Sequence, residues 1–179
     1  MTSEIPFFDY EQCYNYYVKR IDSIRQKRIQ NETIVAKPVL ILALIDGIED
    51  DVFPSNRFSI NNWLEERYMK LMIQYTKNSQ FSEVAGIEKP FWHLETDGFW
   101  HLKYPGEQLG KGRTPSKAWL KEIVEFAYFD ESFWILLQNK IWRTKLRDYI
   151  IGHKLSDSSR SNTIKASGLG MLAAFLLSA

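Results

Sequence analysis

The stretch that most limits what this chain can become is residues 36–48, AKPVLILALIDGI. From Val39 to Ile48 it is apolar almost all round, so a helix made of it has no face to offer water. Such a helix has to be the buried centre of a domain, with other elements packed around it. Pro38 suits its first turn, where a missing N–H costs nothing. Gly47 and the acidic run Glu49, Asp50, Asp51 close it. With 179 residues, 45% of them hydrophobic and 15% aromatic, the chain has the material for one such core.

Amphipathic segments are available to cover it. Residues 8–30 carry Tyr10, Tyr14, Tyr17, Ile21 and Ile24 at three- and four-residue steps, which predicts a helix. Residues 56–60 read as a short extended piece. Asn61 or Asn62 caps a helix over residues 63–75, with Glu65 and Glu66 in its first turn. Helices are also expected at 115–127, 130–138 and 139–154, the second capped by Asp130. Between these groups lies EKPFWHLETDGFWHLKYPG, residues 88–106, in which Phe-Trp-His-Leu occurs twice. Asp97-Gly98 between the aromatic runs 91–94 and 99–103 is a β-hairpin signal. The expected fold class is α+β, mainly helical: a helical core with a winged-helix-like β-hairpin. Residues 1–155 form the domain, and residues 156–179 a linker and short apolar tail.

The doubled motif holds two of the chain's three histidines, His93 and His101. In a two-residue hairpin, strand alternation sends them to opposite faces, which argues against a paired-histidine site. One cysteine, Cys13, excludes an intrachain disulfide and a cysteine-rich zinc site. The chain contains no nucleotide-binding P-loop and no G-x-S-x-G elbow. No catalytic residue, metal ligand or cofactor is therefore assigned, and the chain is not expected to be an enzyme on its own. The N-terminus carries no signal-like apolar segment. GLGMLAAFLLSA near the C-terminus is shorter than the roughly 20 residues a bilayer demands. A cytoplasmic location without membrane association is the expectation.

Net charge is only +1, but the balance is uneven. Acidic side chains dominate residues 31–100 and basic ones residues 101–179. Lys89, Lys103, Lys111, Arg113, Lys117 and Lys121 flank the expected hairpin and the Gly-rich loop after it. Backbone N–H groups of that loop and the helix start near Pro115 suit a phosphate, while an ordinary solvated loop suits the same residues.

Four segments carry a family resemblance. AKPVLILALIDGI, NRFSI, KPFWHLETDGFWHL and VEFAYFDESFWILLQNKIWRTKLRDYII resemble, in that order, the DNA sulfur-binding domain of McrA-like HNH restriction endonucleases. These are type IV enzymes that recognise DNA with a phosphorothioate backbone. The resemblance spans residues 8–154. It implies a DNA-binding module in a restriction or defence system, with double-stranded DNA, phosphorothioated or not, as partner. In that family a shallow apolar cavity at a Tyr-Pro pair receives the sulfur, and basic side chains hold the backbone. Carried over, Pro90 is the cavity proline, and Phe91, Trp92 and His93 continue its motif. Arg113 is the basic residue closing the cavity, and Lys37 a contact ahead of the central helix. Lys103, Lys111 and Lys117 supply further basic contacts. Lys89 stands where the family has tyrosine, and its charge favours phosphate. No HNH domain follows, so the resemblance implies a separate nuclease subunit for cleavage. A protein-interaction or regulatory module on the same scaffold is the alternative reading.

Overall fold

Helix α2, Ala36–Glu49, is buried at every position from 38 to 48, as its composition demands. The computed structural model describes residues 8–30, 32–77, 79, 85–106 and 112–156. The remaining helices are α1 Tyr10–Asp22, α3 Asn62–Thr76, α4 Glu88–His93, α5 Lys117–Ile123, α6 Glu131–Gln138 and α7 Lys140–Ile150. A π-helical turn, Ile151–Leu155, follows α7. Helices α3, α4, α6 and α7 pack on α2, and α1 packs on α6 and α7. Each aliphatic side chain so buried contributes roughly 1.5–3 kcal/mol.

Polar groups fix how the helices meet. Asp46 is the one charged residue buried on α2 among the described residues. It accepts from Arg67 of α3 at 2.5 Å and from Arg147 of α7 at 2.8 Å, so one carboxylate ties three helices. Gly47 lets α3 approach: a Cβ there would lie 2.6 Å from the Phe53 ring and 2.9 Å from Trp63. Caps set the helix starts. Asp9 accepts from the Gln12 N–H at 2.9 Å, and Asn61 from the Leu64 N–H at 2.8 Å.

Among the described residues, two small antiparallel sheets complete the α+β fold. Strands β1 Arg28–Ile29 and β2 Glu32–Thr33 form a short ribbon. Strand β3 Trp100–Lys103 pairs with β4 Phe126–Phe129, Trp100 opposite Phe129 and Lys103 opposite Phe126. The 56–60 segment lies along the other edge of β4. Phe58 and Ala127 exchange two backbone hydrogen bonds of 2.7 Å. The Asn56 amide exchanges two more with the Phe129 backbone, at 2.8 and 2.9 Å.

The hairpin expected around Asp97-Gly98 does not form. Residues 91–94 belong to α4 and to the 3₁₀ turn Leu94–Asp97 that follows it. Pro90 sits in the first turn of α4, where proline is tolerated, and so favours a helix. Ile87, Phe91, Trp92 and Leu94 then all point into the core. Gly98 has φ +83°, so it is the left-handed residue ending the 3₁₀ turn. Only the second FWHL copy becomes a strand, and it pairs with β4. The helix expected at 115–127 ends at Ile123, because residues 126–129 are that partner. The helix expected over 8–30 stops at Asp22. The proposed linker and tail lie outside the described residues, apart from Ser156.

Candidate nucleic-acid interface

A cavity of about 250 Å³ opens between α4, α5 and the 58–60 segment. Its lining is Phe58, Ser59, Ile60, Phe91, Leu120, Lys121 and Val124, apolar except for the serine and the lysine. Helix α5 starts at Lys117 because Ser116 caps it, its hydroxyl accepting from the Trp119 N–H at 3.2 Å. Leu120 and Val124, four residues apart, therefore face the cavity and Lys121 stands beside them. Alternation along the extended segment turns Phe58 and Ile60 inward.

Charge at the rim is organised by Glu65 of α3. Its carboxylate pairs with Lys117 at 2.7 Å and with Lys121. Partial burial alone would raise the Glu65 carboxyl. The hydrogen bonds from the two lysines outweigh this and hold it below the usual carboxylate range. Two lysines on one glutamate leave one positive charge in excess.

The candidate residues fall in different places. Pro90, Phe91 and Trp92 are buried, and of these only Phe91 lines the cavity. Trp92 packs with Tyr104 and Trp119, ring centroids 6.0 and 5.9 Å away, which joins α4 to the end of β3 and to α5. Lys89, Lys103 and Arg113 are exposed and make no ion pair with another described residue. Arg113 is carried toward α4 by its neighbour: the Thr114 hydroxyl lies 2.7 Å from His93 Nε2. Lys117 is committed to Glu65, as above. Lys111 lies outside the described residues.

Lys37 is engaged within the domain. Its ammonium donates to Asp97 at 2.6 Å, and the two side chains are only 12% and 3% exposed. Asp97 also accepts the Arg25 backbone N–H at 3.0 Å. The charge of Lys37 is therefore spent inside the domain, tying α2 to the turn after α4.

The two histidines take different partners, though not through hairpin parity. His93 meets Thr114, and His101 Nε2 lies 2.6 Å from the Asp130 carboxylate. Asp130 begins α6 but its side chain makes no capping bond there; it also accepts from Tyr17 at 3.2 Å. No group of three or more histidine, cysteine, aspartate or glutamate residues able to hold a metal occurs among the described residues. No helix among them is long and apolar enough to cross a membrane. Sequence reasoning missed Phe58, Ile60, Leu120 and Val124 as cavity walls and Glu65 as the rim anion. The polar–apolar alternation Arg57-Phe58-Ser59-Ile60 marks the first two as facing one side, but not as walls of a shared cavity.

A search of curated proteins finds no match. Among solved structures, the chain is similar to one described as the sulfur binding domain of SprMcrA complexed with phosphorothioated DNA. The TM-score is 0.57 at 13% identity, over 80% of this chain and 86% of that one. That likeness establishes the shared fold. The family model of the ScoMcrA-like DNA sulfur-binding domain matches residues 15–172, nearly the whole chain. This chain belongs to the ScoMcrA-like DNA sulfur-binding domain family.

Proposed function

We propose that the domain binds double-stranded DNA across α4, α5 and the end of β3, and that the cavity between them receives the sulfur of a phosphorothioate linkage. The observation carrying this reading is an apolar cavity of about 250 Å³ bordered by Lys121 and set among exposed lysines and an arginine. A phosphate oxygen entering it would lose its hydration and find few donors, at a cost of roughly 2–7 kcal/mol for an uncompensated polar group. Sulfur is larger, softer and less hydrated, so it loses less. The positive rim keeps the linkage's charge in favourable surroundings. Lys89, Lys103 and Arg113 contact the flanking phosphates. Lys117 contributes through the excess charge it shares with Lys121 on Glu65, and His93 holds the Arg113 loop in place. Lys89 replaces the family's tyrosine without entering the cavity, so its charge meets phosphate and the apolar walls stay intact. Lys37, in this reading, holds the fold through Asp97.

Cleavage, in this reading, belongs to a separate nuclease subunit. A mobility-shift titration with two duplexes differing by one phosphorothioate linkage tests the assignment. Tighter binding of the modified duplex is expected. Equal binding that weakens steeply with salt would reduce the site to a generic phosphate surface, and no binding to either would remove DNA as the partner. Metal-dependent cleavage by the purified chain would overturn its non-catalytic role.

A further inference from the structure

We propose that the outer face of the β3–β4 sheet is a second nucleic-acid site, one that stacks unpaired bases of single-stranded DNA. Strict alternation builds this face. Phe58, Ile60, Trp100, Leu102, Ala127 and Phe129 point into the core and are buried. Their neighbours in sequence point the other way. Arg57 and Ser59 come from the edge segment, Phe126 and Tyr128 from β4, His101 and Lys103 from β3. The register sets His101 opposite Tyr128 and Lys103 opposite Phe126.

Two partly exposed rings thus lie side by side, centroids 5.9 Å apart, on the central strand of the sheet. Leaving them open to water has a cost that core packing does not offset, since the opposite face already fills the core. Each ring is dressed by a cationic or ionisable group. The Arg57 guanidinium stands 4.6 Å over Phe126, and the His101 ring is 5.0 Å from Tyr128. Arg57 and Lys103 make no ion pair with another described residue, so their donors are available to phosphate. At its edge the face carries the Asp130 carboxylate, already held by His101 and Tyr17.

Charge complementarity selects the occupant. Rings for base faces, with two unpaired cations at 57 and 103 for backbone phosphates, match single-stranded nucleic acid. A paired duplex hides its base faces and would leave the rings without partners. A protein segment would need acidic groups to meet the two cations. The site shares Lys103 with the proposed duplex surface, but none of its aromatic or charged residues lines the sulfur cavity.

The test uses the full chain and a fluorescein-labelled oligothymidylate of about 12 nucleotides, read by anisotropy. Saturable binding that weakens with salt is expected. Phe126→Ala or Tyr128→Ala should weaken it by about 5- to 100-fold. Arg57→Ala should lower the salt slope by about 0.7, the share of one phosphate contact on a single strand. All three should leave the affinity for phosphorothioated duplex within about twofold. Photocrosslinking of a 5-iododeoxyuridine oligonucleotide to the parent protein should map to position 126 or 128, a readout that does not depend on variants folding. Absence of oligothymidylate binding, as expected if a protein segment occupies the face, overturns the proposal. So does binding that these variants leave unchanged, or crosslinks confined to α4 and α5.

Discussion

Replacing Lys37 by methionine separates a structural lysine from a DNA contact. Asp97 is 3% exposed and Lys37 12%, so the substitution strands a carboxylate where water hardly reaches. Removing one partner of a buried pair typically costs about 3–5 kcal/mol. The Arg25 N–H still donates to Asp97 at 3.0 Å, which places the expected loss at the low end, about 3 kcal/mol. For a domain of this size that corresponds to a Tm lower by roughly 6–12 °C. Asp97→Asn keeps an acceptor for Arg25 and lets the lysine stem carry its charge outward, so it should cost about 1–2 kcal/mol. The double variant should cost less than the two singles together, by about 2 kcal/mol. Thermal and urea melts at neutral pH measure all three. DNA affinity, taken where every variant is folded, should stay within about twofold of the parent. A Lys37→Met protein that melts like the parent but binds DNA tenfold more weakly would refute this reasoning and restore Lys37 to the interface.

Three further outcomes follow from the same geometry. Arg113→Ala should weaken duplex binding by about 1–3 kcal/mol with no change in Tm, because the side chain is exposed and free of ion pairs with described residues; anisotropy titration checks it. Glu65→Gln releases Lys117 and Lys121 from their shared anion, so duplex affinity and the magnitude of the salt slope should both rise, the slope by about 1. Alkaline pH should destabilise the fold. Burial, and then Asp9, push the Cys13 thiol from 9.0 up to about 11, while burial and the hydrogen bond to Asp22 push Tyr149 from 10.0 up to about 12. Both folded values exceed the unfolded ones, so the stabilisation is complete below pH 9 and is lost as pH rises to about 12. Melts at intervals across that window should show Tm falling, and a flat profile would contradict it.

The central helix was legible in the sequence because composition alone dictated its burial: a run without a polar face has one place to go. Asn61 was legible as a cap because its chemistry is local. The doubled FWHL was not legible, since four identical residues can serve either structure. Its first copy follows Glu88-Lys89-Pro90 and is drawn into a helix that buries Phe91 and Trp92. Its second is a strand because Phe126–Phe129 lies beside it, a pairing more than twenty residues distant that no local signal announces. Residues 126–129 were hidden for the same reason: Phe-Ala-Tyr-Phe is too short for its period to distinguish helix from strand. At the site, Arg113 and Lys89 are exposed charges near α4. The cavity walls could not be read, because they come from three separated segments. The Lys37–Asp97 pair could not be read because its partners are sixty positions apart.

The most direct test of sulfur recognition is the ratio of Kd values for matched ordinary and phosphorothioated duplexes, measured from about 50 to 200 mM salt. Backbone contacts are common to both duplexes, so both Kd values should rise together. The apolar cavity acts on one atom, so the ratio should stay above about 10, a difference of about 1.4 kcal/mol, at every salt concentration. A ratio near one throughout, or one that vanishes as salt rises, would contradict a sulfur-receiving cavity.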